Sequence, residues 1–198
     1  AIIENAPEEQ PATVLTDGYM GGGAVYGSKS KRHLYGADLS AAIRADIKAA
    51  GIKGVTVKCK TYSGGQSITA TLRTKDEDYI SEDDFVAAYQ VRGQWVYDGT
   101  KPVHADTYYN MSADGQERLR TASARYEYEK YKTTEQYVSI RHIEEYNFTQ
   151  ATIDRIKRVD GIISAYRYDE SNAMVDYFNT NFYYDICVKP ETVAQLAR

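Results

Sequence analysis

Residues 55–73, VTVKCKTYSGGQSITATLR, decide the fold. Val55, Val57 and Cys59 alternate with Thr56, Lys58 and Lys60, and Ile68, Ala70 and Leu72 alternate with Thr69, Thr71 and Arg73. An apolar period of two marks strands with one buried face. Between the two runs, Gly64 and Gly65 supply the backbone freedom that a tight turn needs. The stretch therefore reads as a β-hairpin of strands 55–61 and 66–73. One face is apolar, and the other carries Lys58, Lys60 and Arg73 among threonines.

Helical periods surround this hairpin. Leu39, Ile43 and Ile47 recur every four residues before Gly51, which predicts a helix over about 37–50. SEDDFVAAYQ predicts a short helix capped by Ser81, with acids in its first turn and Phe85, Val86 and Tyr89 turned inward. Ser112 opens a polar helix over about 113–131, and Thr149 a clearer one in which Ile153, Ile156, Ile163 and Tyr166 form a stripe. Further strands are expected near 136–142 and 181–188, the last stopped by Pro190 and followed by the helical turn ETVAQLAR. Residues 13–36, with six glycines, and GQWVYDGTKPVHAD read as loop, the latter turning at Asp98-Gly99. The expected fold is α+β: a small, largely antiparallel sheet packed with amphipathic helices. The expected organisation is a disordered end or cut edge over 1–12 and a single domain over 13–198, with an insertion around 100–135.

A chain of 198 residues and 22.3 kDa, 42% hydrophobic and 26% charged, excludes fibrous, fully disordered and disulfide mini-protein classes. No apolar run is long enough to span a membrane. Cys59 and Cys187, far apart in alternating segments, are expected as buried free thiols, and with no signal-like start the expected location is cytoplasmic. The net charge of −4 hides blocks: residues 28–73 hold nine bases and two acids (+7), and residues 74–117 three bases and ten acids (−7). Either these blocks neutralise each other, or the domain presents a basic face and an acidic one. Nineteen tyrosines stand against four Phe and one Trp. They either fill half-buried positions with the hydroxyl in water, or stack on nucleic-acid bases beside Lys and Arg, as Tyr26, Tyr35, Tyr62 and RYEYEKYK at 125–132 would allow.

Most chemical signatures fail. Gly22 to Gly27 has the gap of a phosphate loop, but Ser28 intrudes before Lys29-Ser30, and Tyr26 occupies the third glycine of a dinucleotide pattern. His33, His104 and His142 are scattered, so no metal centre or cofactor is expected. No nucleophile elbow is present. The basic block leaves one interface candidate: Lys29, Lys31, Arg32, Lys58, Lys60, Arg73 and Tyr62 could hold a phosphate backbone without reading sequence.

Three segments in order carry a resemblance: YMGGGAVYGSKSKRHLYGADLSAAIRADIKAA, then VTVKCKTYSGGQSITATL, then SAYRYDESNAMVDYFNTNFYYDICV. Together they resemble a large polyvalent-protein-associated domain family of plasmids, conjugative elements and phages. Its motifs are a YSGGxS hairpin and a Tyr-x-[Tyr/Phe]-Asp-x-Ser-Asp-x-Met-x-Asp-Tyr-Phe segment. Gly64, Gly65, Ser67, Asp169, Ser171, Met174, Asp176, Tyr177 and Phe178 match, whereas Asn172 replaces an Asp and Val175 a small polar residue. About half the chain is covered, and 100–135 fits poorly. The resemblance implies a non-enzymatic accessory binding domain of a mobile genetic element, acting on nucleic acid or on a host protein. The alternatives are a counter-defence inhibitor that engages a host nuclease or restriction factor through acidic surface, and an enzyme using Asp169 and Asp176. The matched motif residues are expected to be structural, with DESNAMVDYF a folded corner.

Overall fold

The computed structural model describes residues 13–15, 24–92, 94–171 and 179–191, and divides the chain into two compact units. The architecture is α+β with small, mostly antiparallel sheets. No described helix is long and apolar enough to cross a membrane.

The first unit comprises Ala1–Leu72 and Arg155–Cys187. Its centre is the hairpin of β3 (Val55–Tyr62) and β4 (Gly65–Thr74), with Val55 opposite Leu72 and Tyr62 opposite Gly65. The alternation read from sequence is the alternation observed: Ile68, Ala70 and Leu72 are buried, and Lys58 and Lys60 are exposed. Gln66 is also on the buried face. Its Oε1 accepts the Gly36 amide at 2.7 Å, while its Nε2 donates to the carbonyls of Leu34 and Asn181. Strand β9 (Tyr183–Pro190) lies beside β4. Ile186, Cys187 and Val188 are buried in succession, so both faces of β9 are covered there and the expected alternation ends. Cys187 is buried as expected, whereas Cys59 is only half-buried, and the two are not joined by a disulfide.

Helix α1 (Gly36–Ala49) packs along β3 and buries Leu39, Ile43 and Ile47. It closes with the paired bonds of a Schellman end, Ile52 N–H to the Ile47 carbonyl and Gly51 N–H to that of Lys48. Helix α5 (Gln150–Ser164) buries Ile156, Val159 and Ile163 in this unit.

The glycine-rich lead-in is not all loop. β1 (Thr13–Leu15), β2 (Ala24–Tyr26) and β8 (Tyr168–Asp169) form an antiparallel sheet in the order β1-β2-β8. These strands have two or three residues, too few for a period to appear, and Val25 finds its partner at Asp169. Gly27 follows β2 where the backbone meets the end of α5. Its amide donates to the Arg167 carbonyl and that of Lys29 to the Ala165 carbonyl, both at 2.7 Å. A Cβ at Gly27 would lie closer than 3.0 Å to the carbonyl oxygens of Ser164 and Ala165. The glycine that suggested a phosphate loop is therefore required by backbone packing.

The second unit comprises Arg73–Asp154 and Val188–Arg198. Helix α2 (Glu82–Ala88) starts at Ser81, whose Oγ accepts the Asp84 amide. Helix α4 (Ala113–Thr133) starts at Ser112, which accepts the Gly115 amide. Between them, β5 (Trp95–Tyr97) and β6 (Pro102–His104) form a hairpin where loop was expected, and the short α3 (Ala105–Tyr109) follows. The turn itself was legible: Asp98 Oδ1 accepts the amides of Thr100 and Lys101. Pro102 masks the strand by standing at its first residue, where no ladder donor is needed. Phe85, Ala124 and Tyr128 make one core, and Val96, Tyr108 and Leu119 another. The strand expected over 136–142 is shorter: β7 (Gln136–Val138) gives way to a 3-10 turn over Ile140–Glu145.

Candidate functional site

The structure divides the basic candidates of the first unit. Lys29 is not available on an open face. Its Nζ sits 2.7 Å from Asp46 Oδ2 and 5.6 Å from the centre of the Tyr166 ring. Arg32 lies over the same ring at 5.8 Å. Tyr166, 2% exposed, donates its hydroxyl to Asp46 Oδ2 at 2.6 Å. Burial pushes the Asp46 carboxyl up, but the hydrogen bonds from Lys29 and Tyr166 outweigh it and hold the carboxyl below its ordinary value. Burial and the bond to Asp46 push the Tyr166 hydroxyl up to about 12. These residues form a folded charge cluster. Lys58 and Lys60 project from the exposed face of β3, and Tyr62, 43% exposed, stands at its end. Arg73 is exposed near the end of β4 and is the first residue of the other unit. The side chain of Lys31 lies outside the described ones.

Of the motif residues, Gly64 has φ +85°, whereas Gly65 is not left-handed and is limited by the Tyr62 ring instead. Ser67 is half-buried, opposite Lys60. Asp169 is paired with Arg167 and its Oδ1 accepts the Ser171 amide, while Ser171 Oγ accepts that of Asn179. These bonds turn the backbone at this corner. Met174, Asp176, Tyr177 and Phe178 lie outside the described residues.

The second unit contains a cleft of about 530 Å³. Its aromatic walls come from four separate segments: Phe85 and Tyr89 at α2, Trp95 of β5, Tyr131 of α4, and Tyr146 after the 3-10 turn. Tyr131 meets Phe85 edge-on at 6.3 Å between centres and lies tilted against Tyr146 at 5.9 Å. The end of α2, which carries Tyr89, is fixed by Arg120. The Arg120 guanidinium donates to the carbonyls of Val86 and Tyr89, satisfying helix-end acceptors, and is itself held by Glu117. The Tyr89 hydroxyl bonds Ser123 at 3.0 Å.

Three carboxylates share these walls: Glu127, Glu144 and Glu145. Glu145 is paired with Arg92 at 2.6 Å and with His142 at 3.3 Å, and these bonds lower its carboxyl below the usual range. The Glu127 side chain is 17% exposed and has a long contact of 3.4 Å to Lys130. Burial, then the charge of Glu127, push the Tyr131 hydroxyl up to about 12. The walls are thus neutral rings under a negative field, which favours a cation and disfavours phosphate. The unit as a whole agrees: it has twelve Lys and Arg against seventeen Asp and Glu, or −5, while the first unit has twelve against eleven, or +1.

Sequence reading missed this cleft. The signals were the tyrosine surplus and RYEYEKYK. That run splits three ways on α4: Tyr128 goes into the core, Tyr131 into the cleft, and Tyr126 stacks on Tyr97 at 4.5 Å. Compared with known proteins, the chain matches no protein-family model, no curated protein and no solved structure.

Proposed function

We propose that this chain is a non-enzymatic accessory binding domain of a mobile genetic element, and that the partner it engages is a host protein. The mobile-element assignment rests on the three sequence segments that resemble the polyvalent-protein-associated family. The choice of a protein over nucleic acid rests on one observation: the aromatic cleft of the second unit is lined by Glu127, Glu144 and Glu145. A phosphate backbone would meet these charges at contact range, whereas a basic protein surface complements them. The net −5 of this unit favours a specific second reading. In it, the domain is a counter-defence inhibitor that covers the basic substrate channel of a host nuclease or restriction factor.

An affinity capture from host lysate, with and without nuclease treatment, tests the proposal. The partner is expected to survive nuclease treatment and to be lost with Trp95→Ala. Anisotropy titrations with single- and double-stranded DNA are the counter-test. Tight DNA binding at physiological salt, abolished by Lys58→Glu with Lys60→Glu and Arg73→Glu, would restore the nucleic-acid reading.

A further inference from the structure

We infer that the cleft of the second unit is a receptor for a guanidinium group, an arginine side chain presented by the partner. The inference rests on the protein-binding reading and goes further by naming the chemistry recognised. Its volume of about 530 Å³ is in the range of sites that enclose small molecules, about 300–1,000 Å³. Tyr89, Trp95, Tyr131 and Tyr146 line the cleft, and a flat, weakly hydrated guanidinium stacks well on aromatic rings. Glu127 stands beside these rings as an acceptor for its N–H fork, with Glu144 adding negative charge to the lining. Glu127 is the anchor because its side chain is largely withdrawn from solvent, 17% exposed, and its own ion pair is long. The molecule already displays the same chemistry on one wall: the Arg92 guanidinium rests on Glu145 at 2.6 Å.

Arginine is preferred over lysine on geometry. A planar fork can bond a carboxylate with two nitrogens while its face lies on a ring; an ammonium is a point charge that gives up more hydration to enter. Anionic ligands are disfavoured, because three carboxylates against Arg92 leave the lining negative.

Trp95 is the only tryptophan of the chain and lines the cleft, 51% exposed, so its emission reports on this site. The probe is a short capped glycine peptide with two arginines, compared at low salt with versions carrying lysine or citrulline. Saturable change in Trp95 emission is expected with the arginine peptide, with the citrulline peptide at least about tenfold weaker, since it keeps the shape and loses the charge. Glu127→Gln should weaken the arginine peptide by about tenfold while leaving the thermal midpoint in place. Calorimetry on Trp95→Phe controls for changes in emission that are not binding. Equal binding of the citrulline peptide, or undiminished binding to a Glu127→Gln, Glu144→Gln double variant, would overturn the inference. So would an unmoved Trp95 and no heat, even with a host protein captured and released by Trp95→Ala; the protein-binding reading would then stand without the guanidinium. Arginine-selective binding without any captured protein would uphold the inference and remove that reading.

Discussion

Replacing Gly27 with alanine tests whether the glycine-rich lead-in is architecture or a ligand loop. The added Cβ would lie closer than 3.0 Å to the backbone oxygens of Ser164 and Ala165. Neither is the movable end of a side chain, so the backbone itself must separate. Two hydrogen bonds sit at this contact, Gly27 N–H to Arg167 and Lys29 N–H to Ala165, both at 2.7 Å. Each is worth about 1 kcal/mol net, and a buried amide left without a partner costs about 1–3 kcal/mol more. The expected loss is therefore about 2–4 kcal/mol, a large part of the ~5–15 kcal/mol that holds a typical protein folded. The same shift would move Lys29 and Arg32 off Tyr166. Urea unfolding followed by circular dichroism measures the loss. A decrease below about 0.5 kcal/mol, within the range of an ordinary surface substitution, would refute the packing argument. Unchanged stability together with lost nucleotide binding would turn the lead-in back into a ligand loop.

At the hairpin turn the two glycines should separate. Gly64→Val forces a β-branched residue to φ +85° and should cost about 1–3 kcal/mol. Gly65→Val meets the ring of the half-exposed Tyr62, which can swing away, so its cost should stay under about 1 kcal/mol; equal losses in thermal denaturation would show that the backbone assignment is wrong. The Asp46 carboxyl lies below its ordinary value, so it stabilises the fold above roughly pH 4 and this contribution fades as pH falls through the lowered value. Asp46→Asn should flatten that part of the acid-unfolding curve, and an unaltered slope would count against the Lys29–Asp46–Tyr166 cluster. Tyr131 and Tyr166 are pushed up to about 12, both by burial first. Their contribution is complete below roughly pH 10 and is lost as pH rises through about 12. A spectrophotometric titration should show a late group of tyrosines that ionises only near pH 12 and is released with unfolding; the absence of any such late step would contradict this.

The hairpin was legible because alternation is a local property: apolar and polar residues of 55–73, Gln66 excepted, state their own face, and the register of β3 on β4 follows from the turn between them. The helix starts at Ser81 and Ser112 were legible for the same reason, since a cap bonds an amide only three residues away. β1, β2 and β8 were not, because strands of two or three residues gain their identity from a partner at the other end of the chain. The charge of Lys29 was on the page, but whether it faced a ligand or Asp46 depended on α1 and the end of α5 meeting it. Cleft residues show the same division most clearly. Sequence alone determined that tyrosine and glutamate alternate along RYEYEKYK; helical geometry then spread them around α4. Which tyrosine entered the core and which the cleft was decided by α2, β5 and the 3-10 turn packing against that helix. Periodicity records the direction of a side chain relative to its own element, while a site requires the direction of several elements relative to one another, and that is set only when their apolar faces are buried together.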